Sequence, residues 1–189
     1  MEEQTPTTPQ RKSLPAWVQI LAVVALLAFL TLIGFSLKRS QQGPITIGQT
    51  VPAFSLTTFD GQTYNTADMA GKVIVLNFWA SWCSPCAQEA ADLETAWQQV
   101  KDSGDVVFLG VDYVDTEPEA REYLNQFSIT YPNGPDLATK ISQMFRIRGV
   151  PETYVIGPDG KLATIKIGPF MSVEEIMTTI EAARTGAGQ

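Results

Sequence analysis

Residues 77–89 read Asn-Phe-Trp-Ala-Ser-Trp-Cys-Ser-Pro-Cys-Ala-Gln-Glu and contain both cysteines of this 189-residue chain. The preceding run, Val73 to Leu76, is entirely apolar and predicts a buried strand. Beyond it, apolar residues recur at steps of three or four, which predicts a helix with one face on a sheet. These residues are Cys86, Ala90, Leu93, Trp97 and Val100. The Cys-x-x-Cys pair therefore lies where a buried strand gives way to a helix.

The two cysteines occupy different positions on this predicted helix. Cys83 falls at the helix N-terminus, where unpaired backbone N–H groups and the positive end of the helix dipole stabilise a thiolate. Cys86 lies one turn later, on the buried side. We therefore expect an exposed attacking sulfur at Cys83 and a shielded second sulfur at Cys86 that resolves a mixed disulfide. Pro85 in the first turn costs no helical hydrogen bond and stiffens the loop.

Two other interpretations of the cysteine pair are weaker. A structural zinc site needs two further ligands, and the chain has no third cysteine and no histidine. A purely structural disulfide would close a very short loop and so constrain the unfolded chain little. A redox-active dithiol, with a Cys83–Cys86 disulfide as its oxidised form, is the favoured hypothesis.

The run Phe78-Trp79-Ala80-x-Trp82-Cys83-x-Pro85-Cys86 resembles the thioredoxin active-site motif. Asn77 departs from thioredoxin, which has a buried, titratable aspartate at this point. Asn77 together with Glu89, three residues after the second cysteine, resembles the extracytoplasmic thiol-disulfide oxidoreductases of the TlpA/ResA/CcmG (DsbE) group. This resemblance implies an α/β thioredoxin fold, a central mixed sheet flanked by helices.

Two further segments resemble additions of the same group. Residues 48–56, followed by an Asp60-Gly61 turn signal, predict an N-terminal β-hairpin. Residues 113–136 form a segment that plain thioredoxin lacks and resemble the central insertion of the group; Thr116 predicts a capped helix within it. Peroxiredoxins share the hairpin region, but their Pro-x-x-x-Thr/Ser-x-x-Cys motif is missing, because Leu76 and Ala80 stand at the required places before Cys83.

An apolar span without charged residues covers residues 16–37 and is long enough to cross a bilayer. We expect a cytoplasmic tail at 1–15, a transmembrane anchor at 16–37, a linker at 38–47 and a thioredoxin-like domain at 48–189. A cleaved signal peptide is the alternative, although its apolar region is usually only about 7–15 residues long. Basic pairs flank the span on both sides, so charge leaves the orientation open. The family resemblance places the domain on the extracytoplasmic side of the cell membrane.

The substrate-binding residues are predicted around a proline loop. In thioredoxin-like proteins, which the Gly-x-Pro-x-Thr context resembles, the proline at the position of Pro151 is cis and lies against the cysteine pair. An ordinary turn proline is the alternative. Val150 would then offer its backbone to an extended substrate segment. Trp82 and Pro85 are expected to contact the substrate beside Cys83.

Two acidic residues are candidates for roles beside the cysteines. Glu89 falls at the border of the apolar helix stripe, where partial desolvation would raise its pKa and allow proton exchange with the cysteines. The alternative is a surface glutamate near the favourable end of the helix dipole. Glu152 resembles the Pro-Glu-Thr of CcmG-like proteins and would place negative charge at the substrate groove. Its alternative is a water-facing glutamate at the start of a strand.

Composition restricts the partners. From Gly43 onward the chain has 18 acidic and 9 basic residues, a balance of −9, which argues against nucleic-acid binding. No phosphate loop or dinucleotide motif indicates a cofactor. The resemblance implies an enzyme that reduces cysteines of apocytochrome c or another extracytoplasmic disulfide protein, recharged by a transmembrane thiol carrier of the CcdA/DsbD kind. Reduction of copper-site cysteines in an oxidase, a non-catalytic apocytochrome holdase and a disulfide-forming oxidase remain alternatives.

Overall fold

A computed structural model describes residues 15–40 and 44–186, with side chains left aside for residues 36–40. The chain divides into two compact units, residues 1–43 and 44–189. Most of the predicted tail and part of the predicted linker lie outside the described residues.

The first unit contains one long helix, α1, from Ala16 to Ser40. Its apolar side chains face outward around the whole circumference, including Trp17, Leu26 and Phe35. A helix that is apolar on every side is typical of a membrane span. The stretch from Ala16 to Phe35 is the one candidate span among the described residues.

The second unit is built on a mixed sheet. Its seven strands are β1 Ser55–Thr57, β2 Thr63–Asn65, β3 Val73–Trp79, β4 Val106–Asp112, β5 Asn133–Pro135, β6 Glu152–Ile156 and β7 Leu162–Ile167. Its helices are α2 Ser84–Val100, α3 Glu117–Gln126, α4 Lys140–Phe145 and α5 Val173–Thr185. The five-stranded sheet has the order β5-β4-β3-β6-β7, with β3, β4 and β5 parallel and β6 antiparallel to both of its neighbours.

Every residue of the central strand, β3, is buried, because apolar layers cover both faces of the sheet. Ile74, Leu76 and Phe78 point to one face, where they join α4 residues. Val73 and Val75 point to the other face, toward α2 and α5. This alternation follows from the two-residue period of a strand. The predicted thioredoxin fold is confirmed, and the cysteine motif lies at the carboxyl end of its central strand.

The predicted N-terminal hairpin is present as β1 and β2, which pair antiparallel around a turn at Gly61. The Phe59 N–H donates to the Asn133 carbonyl at 2.9 Å, so the hairpin region is tied to β5. The sequence did not predict β5. Asn-Gly-Pro is typical of a turn, and these residues form a strand because β4 offers its open edge. The predicted insertion therefore contributes both α3 and an edge strand.

Two local predictions were wrong. The spacing of Leu137, Ile141, Met144 and Phe145 predicts one apolar helix stripe. Ala138 and Thr139 instead have φ of 58° and 53°, so α4 begins only at Lys140 and Leu137 is not part of the stripe. Leu137 is consequently exposed. Thr116 does stand at the N-cap of α3, but its hydroxyl donates to the Glu119 carboxylate instead of capping the helix backbone.

Candidate active site

The cysteine pair stands where the sequence predicted it. Cys83 is the N-cap residue of α2, and its Sγ accepts the Cys86 N–H at 3.1 Å. The two residues form a disulfide, so the structure describes the oxidised protein. A sulfur in this position receives both a backbone N–H and the positive end of the helix dipole, which together favour a thiolate after reduction.

The expected exposure of Cys83 is wrong for this oxidised state. Cys83 is 4 % exposed and Cys86 1 % exposed. Both belong to a small apolar cluster with Trp79, Ala80 and residues of α3. The disulfide holds the Cys83 sulfur against Cys86, and this packing shields it from solvent. Cys86 is still the more deeply buried of the two.

Trp82 is 61 % exposed directly before Cys83. Its indole N–H donates to the Val114 carbonyl at 3.2 Å, which ties the ring to the segment after β4. Pro85 is also exposed, in the first turn of α2. An exposed aromatic ring that is hydrogen-bonded through its indole N–H offers a flat surface directly before Cys83.

The Val150–Pro151 bond is cis, which confirms the prediction for this proline. Val150 packs against the apolar cluster that contains both cysteines. The Pro151 carbonyl accepts the Gly168 N–H at 3.0 Å, so the proline loop is joined to the end of β7. In the described part of the chain, no backbone hydrogen bond uses the N–H or carbonyl of Val150.

Glu89 is completely buried, not partly desolvated at the border of the helix stripe as predicted. Its Oε1 accepts the Asn77 amide at 2.9 Å, and its Oε2 accepts the Phe170 backbone N–H at 2.7 Å. Asn77 also donates to Thr153 Oγ1 at 3.0 Å. Glu89 is thus held between β3 and the segment just before α5, and the helical periodicity of α2 could not predict these contacts.

Burial raises the pKa of Glu89 to about 7, although the hydrogen bonds from Phe170 and Asn77 and the charge of Lys166 act in the opposite direction. Near neutral pH the side chain therefore exists in both protonation states. A buried group poised in this way can accept or release one proton within a reaction cycle.

From the raised pKa of Glu89 we predict how the free energy of unfolding depends on pH. A folded-state pKa of about 7, above the usual 4.5, means that this group's stabilising contribution is complete below pH 4.5 and is lost as pH rises through 7. The expected loss is about 3 kcal/mol, since one pH unit corresponds to about 1.4 kcal/mol. The test is urea unfolding of the oxidised protein at pH 5 and pH 8. Between these two pH values the free energy of unfolding should decrease less in Glu89→Gln than in the unsubstituted protein.

Glu122→Gln, at an exposed position on α3, is the control for this measurement. It should keep the full decrease between the two pH values. Equal decreases in the Glu89→Gln variant and the unsubstituted protein would show that Glu89 does not titrate in this range.

The interpretation of Glu152 as a water-facing residue at the start of a strand is wrong. The side chain is buried. One carboxylate oxygen accepts the Arg148 N–H at 2.8 Å, and the other accepts the Tyr154 hydroxyl at 2.8 Å. Glu152 therefore fixes the loop before Pro151 from inside the protein, because the antiparallel register of β6 turns its side chain inward.

Sequence reasoning missed the groups that hold Glu89. Phe170 is 81 residues away in the chain and contributes only a backbone N–H, for which no side-chain pattern exists. Asn77 carried a signal, as a polar residue inside an apolar strand, but its partners Glu89 and Thr153 could be identified only in the folded chain.

A thioredoxin-like sheet, a cysteine pair at a helix N-terminus and an adjoining cis-proline loop together define a thiol-disulfide oxidoreductase. The chain belongs to the AhpC/TSA family, which matches residues 47–165. It is 29 % identical over 149 residues to a thiol-disulfide oxidoreductase ResA of Bacillus cereus, covering 77 % of this chain and 86 % of the relative. It is a thiol-disulfide oxidoreductase of the ResA/DsbE type.

Solved structures agree with this assignment. A thioredoxin-family thiol:disulfide interchange protein from Chlorobium tepidum TLS is 26 % identical with a TM-score of 0.66, covering 76 % of this chain and 98 % of that protein. The MTB dsbF structure, in mixed oxidised and reduced forms, is 27 % identical with a TM-score of 0.65, covering 71 % of this chain and all of the other.

Proposed function

We propose that the protein is a membrane-anchored reductase of extracytoplasmic protein disulfides. The observation that carries this proposal is the buried Glu89, three residues after Cys86 on α2. Side chains at this spacing lie on one helix face, with Cβ atoms about 5–6 Å apart. A carboxylate there disfavours a thiolate on the neighbouring sulfur. Strong oxidants instead stabilise their reduced form, so this arrangement favours a reductant.

Two steps transfer the electrons. The Cys83 thiolate attacks one sulfur of the substrate disulfide, whose S–S bond breaks and releases the other sulfur as a thiolate. Cys86 then loses its proton to Glu89 and attacks the Cys83 sulfur, which releases the substrate as a dithiol and forms the Cys83–Cys86 disulfide. The substrate gains two electrons and two protons: one proton passes through Glu89, and the other, which Cys83 lost to solvent when it ionised, is taken up from solvent.

Substrate binding is assigned to the surface around Cys83. Trp82 and Pro85 provide an exposed apolar surface before and after the attacking sulfur. Val150 and Pro151 provide backbone groups beside the cysteine cluster, where an extended segment could pair as it would with a sheet edge. Glu152 supports this loop by accepting the Arg148 backbone N–H, and we propose that its negative charge acts at the substrate groove through this loop.

The proposed topology has a cytoplasmic tail at 1–15, an anchor at 16–37, a linker at 38–47 and the catalytic domain at 48–189 outside the cytoplasm. The apolar helix supports the anchor. The oxidised enzyme then needs electrons from a transmembrane thiol carrier of the CcdA/DsbD kind, because cytoplasmic thioredoxin cannot cross a bilayer. A reporter fused after Gln189 should be active only if it is one that functions outside the cytoplasm.

For the substrate, we propose the Cys-x-x-Cys-His haem site of apocytochrome c, and hence a role in cytochrome c maturation. The resemblance to ResA supports this choice. Reduction of copper-site cysteines in an oxidase is the second candidate. A non-catalytic holdase is disfavoured by the retained cysteine pair, and a disulfide-forming oxidase by the absence of a histidine between the cysteines.

A redox titration of the Cys83/Cys86 couple tests the direction of electron flow. We expect a potential well below that of a strong oxidant such as DsbA, about −120 mV. A value near that of DsbA would reverse the assignment to an oxidase. Reduced protein should also reduce an oxidised apocytochrome peptide containing Cys-x-x-Cys-His faster than an oxidised copper-site peptide; the opposite order would select the second candidate.

A further inference from the structure

Asp112 is a second buried acid, outside the predicted site. It is the last residue of β4, pairs in register with Trp79 of β3, and is 3 % exposed. Its Oδ1 is buried and has no hydrogen-bond partner among the described residues. Burying a carboxylate oxygen without a partner is costly, which favours a neutral, protonated side chain.

Asp115, three residues after Asp112, is hydrogen-bonded to the active-site loop. Asp115 Oδ2 accepts the Ser81 N–H at 2.6 Å, and Oδ1 accepts the Thr116 N–H at 2.8 Å. Between the two acids, the Val114 carbonyl accepts the Trp82 indole N–H. The segment from Asp112 to Asp115 therefore holds both residues that precede Cys83.

The acidity of Asp112 links it to Asp115, three residues further along the chain. Burial raises the pKa of Asp112 to about 8, and the charge of Asp115 and a hydrogen bond to it add to the effect. Two carboxylates in contact are not both charged at neutral pH, so one proton lies between them.

The other acids near this pair have hydrogen-bond partners of their own. Glu119 of α3 accepts the Thr116 hydroxyl, Asp136 after β5 accepts the N–H groups of Ile141 and Ser142, and Glu89 of α2 is bound to Asn77. Among the residues that the structure describes, Asp115 is the one whose charge raises the pKa of Asp112. The protonation of the pair is consequently governed by its own two members.

We propose that Asp112 and Asp115 are positioning residues that share one proton and thereby hold the Ser81–Trp82 loop in place beside Cys83. With the proton present, Asp112 donates to Asp115, and Asp115 keeps both of its backbone N–H partners. When the proton leaves, repulsion between the carboxylates weakens the bond to Ser81, and the loop carrying Trp82 loosens. The inference rests on the enzyme class, not on the direction of electron flow or on the proposed substrate.

Hydrogen exchange at the Ser81 amide tests the proposal without any substrate. It is measured from pH 6 to 9.5 on the oxidised protein by nuclear magnetic resonance, after correction for intrinsic exchange. In the unsubstituted protein, protection of Ser81 should fall as pH rises through about 8. Asp112→Asn should abolish this pH dependence and keep the protection found at neutral pH, because its amide donates to Asp115 at every pH.

Asp115→Ala should lose the protection throughout, with exchange about tenfold faster at pH 7, because a hydrogen bond to a charged acceptor is removed. Asp102→Asn, at an exposed position after α2, is the control and should behave as the unsubstituted protein. The alkylation rate of Cys83 in the reduced protein, measured over the same pH range, provides a second readout.

A transition near pH 8 that persists in Asp112→Asn would overturn the proposal. So would unchanged Ser81 exchange in Asp115→Ala. Neither result tests disulfide reduction, and failure of a reduction assay would not change the exchange rates. Failure of the positioning proposal can therefore be distinguished from failure of the proposed reductase function.

Discussion

Cys83→Ser is expected to lower the rate of disulfide reduction by about a thousandfold or more, because a serine hydroxyl is not ionised at neutral pH and cannot replace the thiolate nucleophile. The assay is the reduction of a protein disulfide, such as that of insulin, with an excess of a small thiol to recharge the enzyme. The N-cap position of Cys83, whose Sγ accepts a hydrogen bond from the Cys86 N–H, supports the proposal that it is the attacking sulfur.

Cys86→Ser is the matched variant, because both substitutions remove the same disulfide and so affect stability similarly. It should retain the first attack and lose the second. A mixed disulfide between Cys83 and the substrate should therefore accumulate, to one equivalent per protein, and be visible on a non-reducing gel. If Cys83→Ser formed the trapped species and Cys86→Ser did not, the order of attack would be reversed.

Gly134→Ala is expected to lower the free energy of unfolding by about 3 kcal/mol, the upper range for inserting a group into a packed site. An added Cβ would lie 2.3 Å from the Thr57 carbonyl oxygen and 2.9 Å from the Thr58 Cα. These are backbone atoms, so no side-chain rotation relieves the contact. The hairpin would have to move away from β5. Chemical denaturation of the oxidised protein measures the effect.

Gly149→Ala provides the comparison, because nothing lies within 4 Å of an added Cβ at that position. Its free energy of unfolding should change by less than about 0.5 kcal/mol. A loss of similar size in both variants would show that the close approach of Gly134 to Thr57 is not what limits substitution there.

The sequence predicted most of the framework. Hydrophobic patterns located β3 and α2, and the Asp60-Gly61 turn located the hairpin, because these signals lie within short continuous stretches of the chain. The cis state of Pro151 was predicted only through a resemblance, since base rates alone favour trans. Strand β5 was missed because Asn133-Gly134-Pro135 has no strand propensity and pairs only where β4 leaves an edge open.

In the candidate site, too, some features could be predicted from local sequence and others depended on the tertiary structure. The positions of Cys83 and Cys86 relative to a helix N-terminus are local properties, and the continuous stretch 73–100 was sufficient to predict them. The surroundings of the acids were decided by the tertiary structure. Glu89 is enclosed by a backbone N–H from residue 170, and Glu152 turns inward through strand register. Burial and partner geometry depend on segments far apart in the chain, and these set the protonation of a carboxyl group.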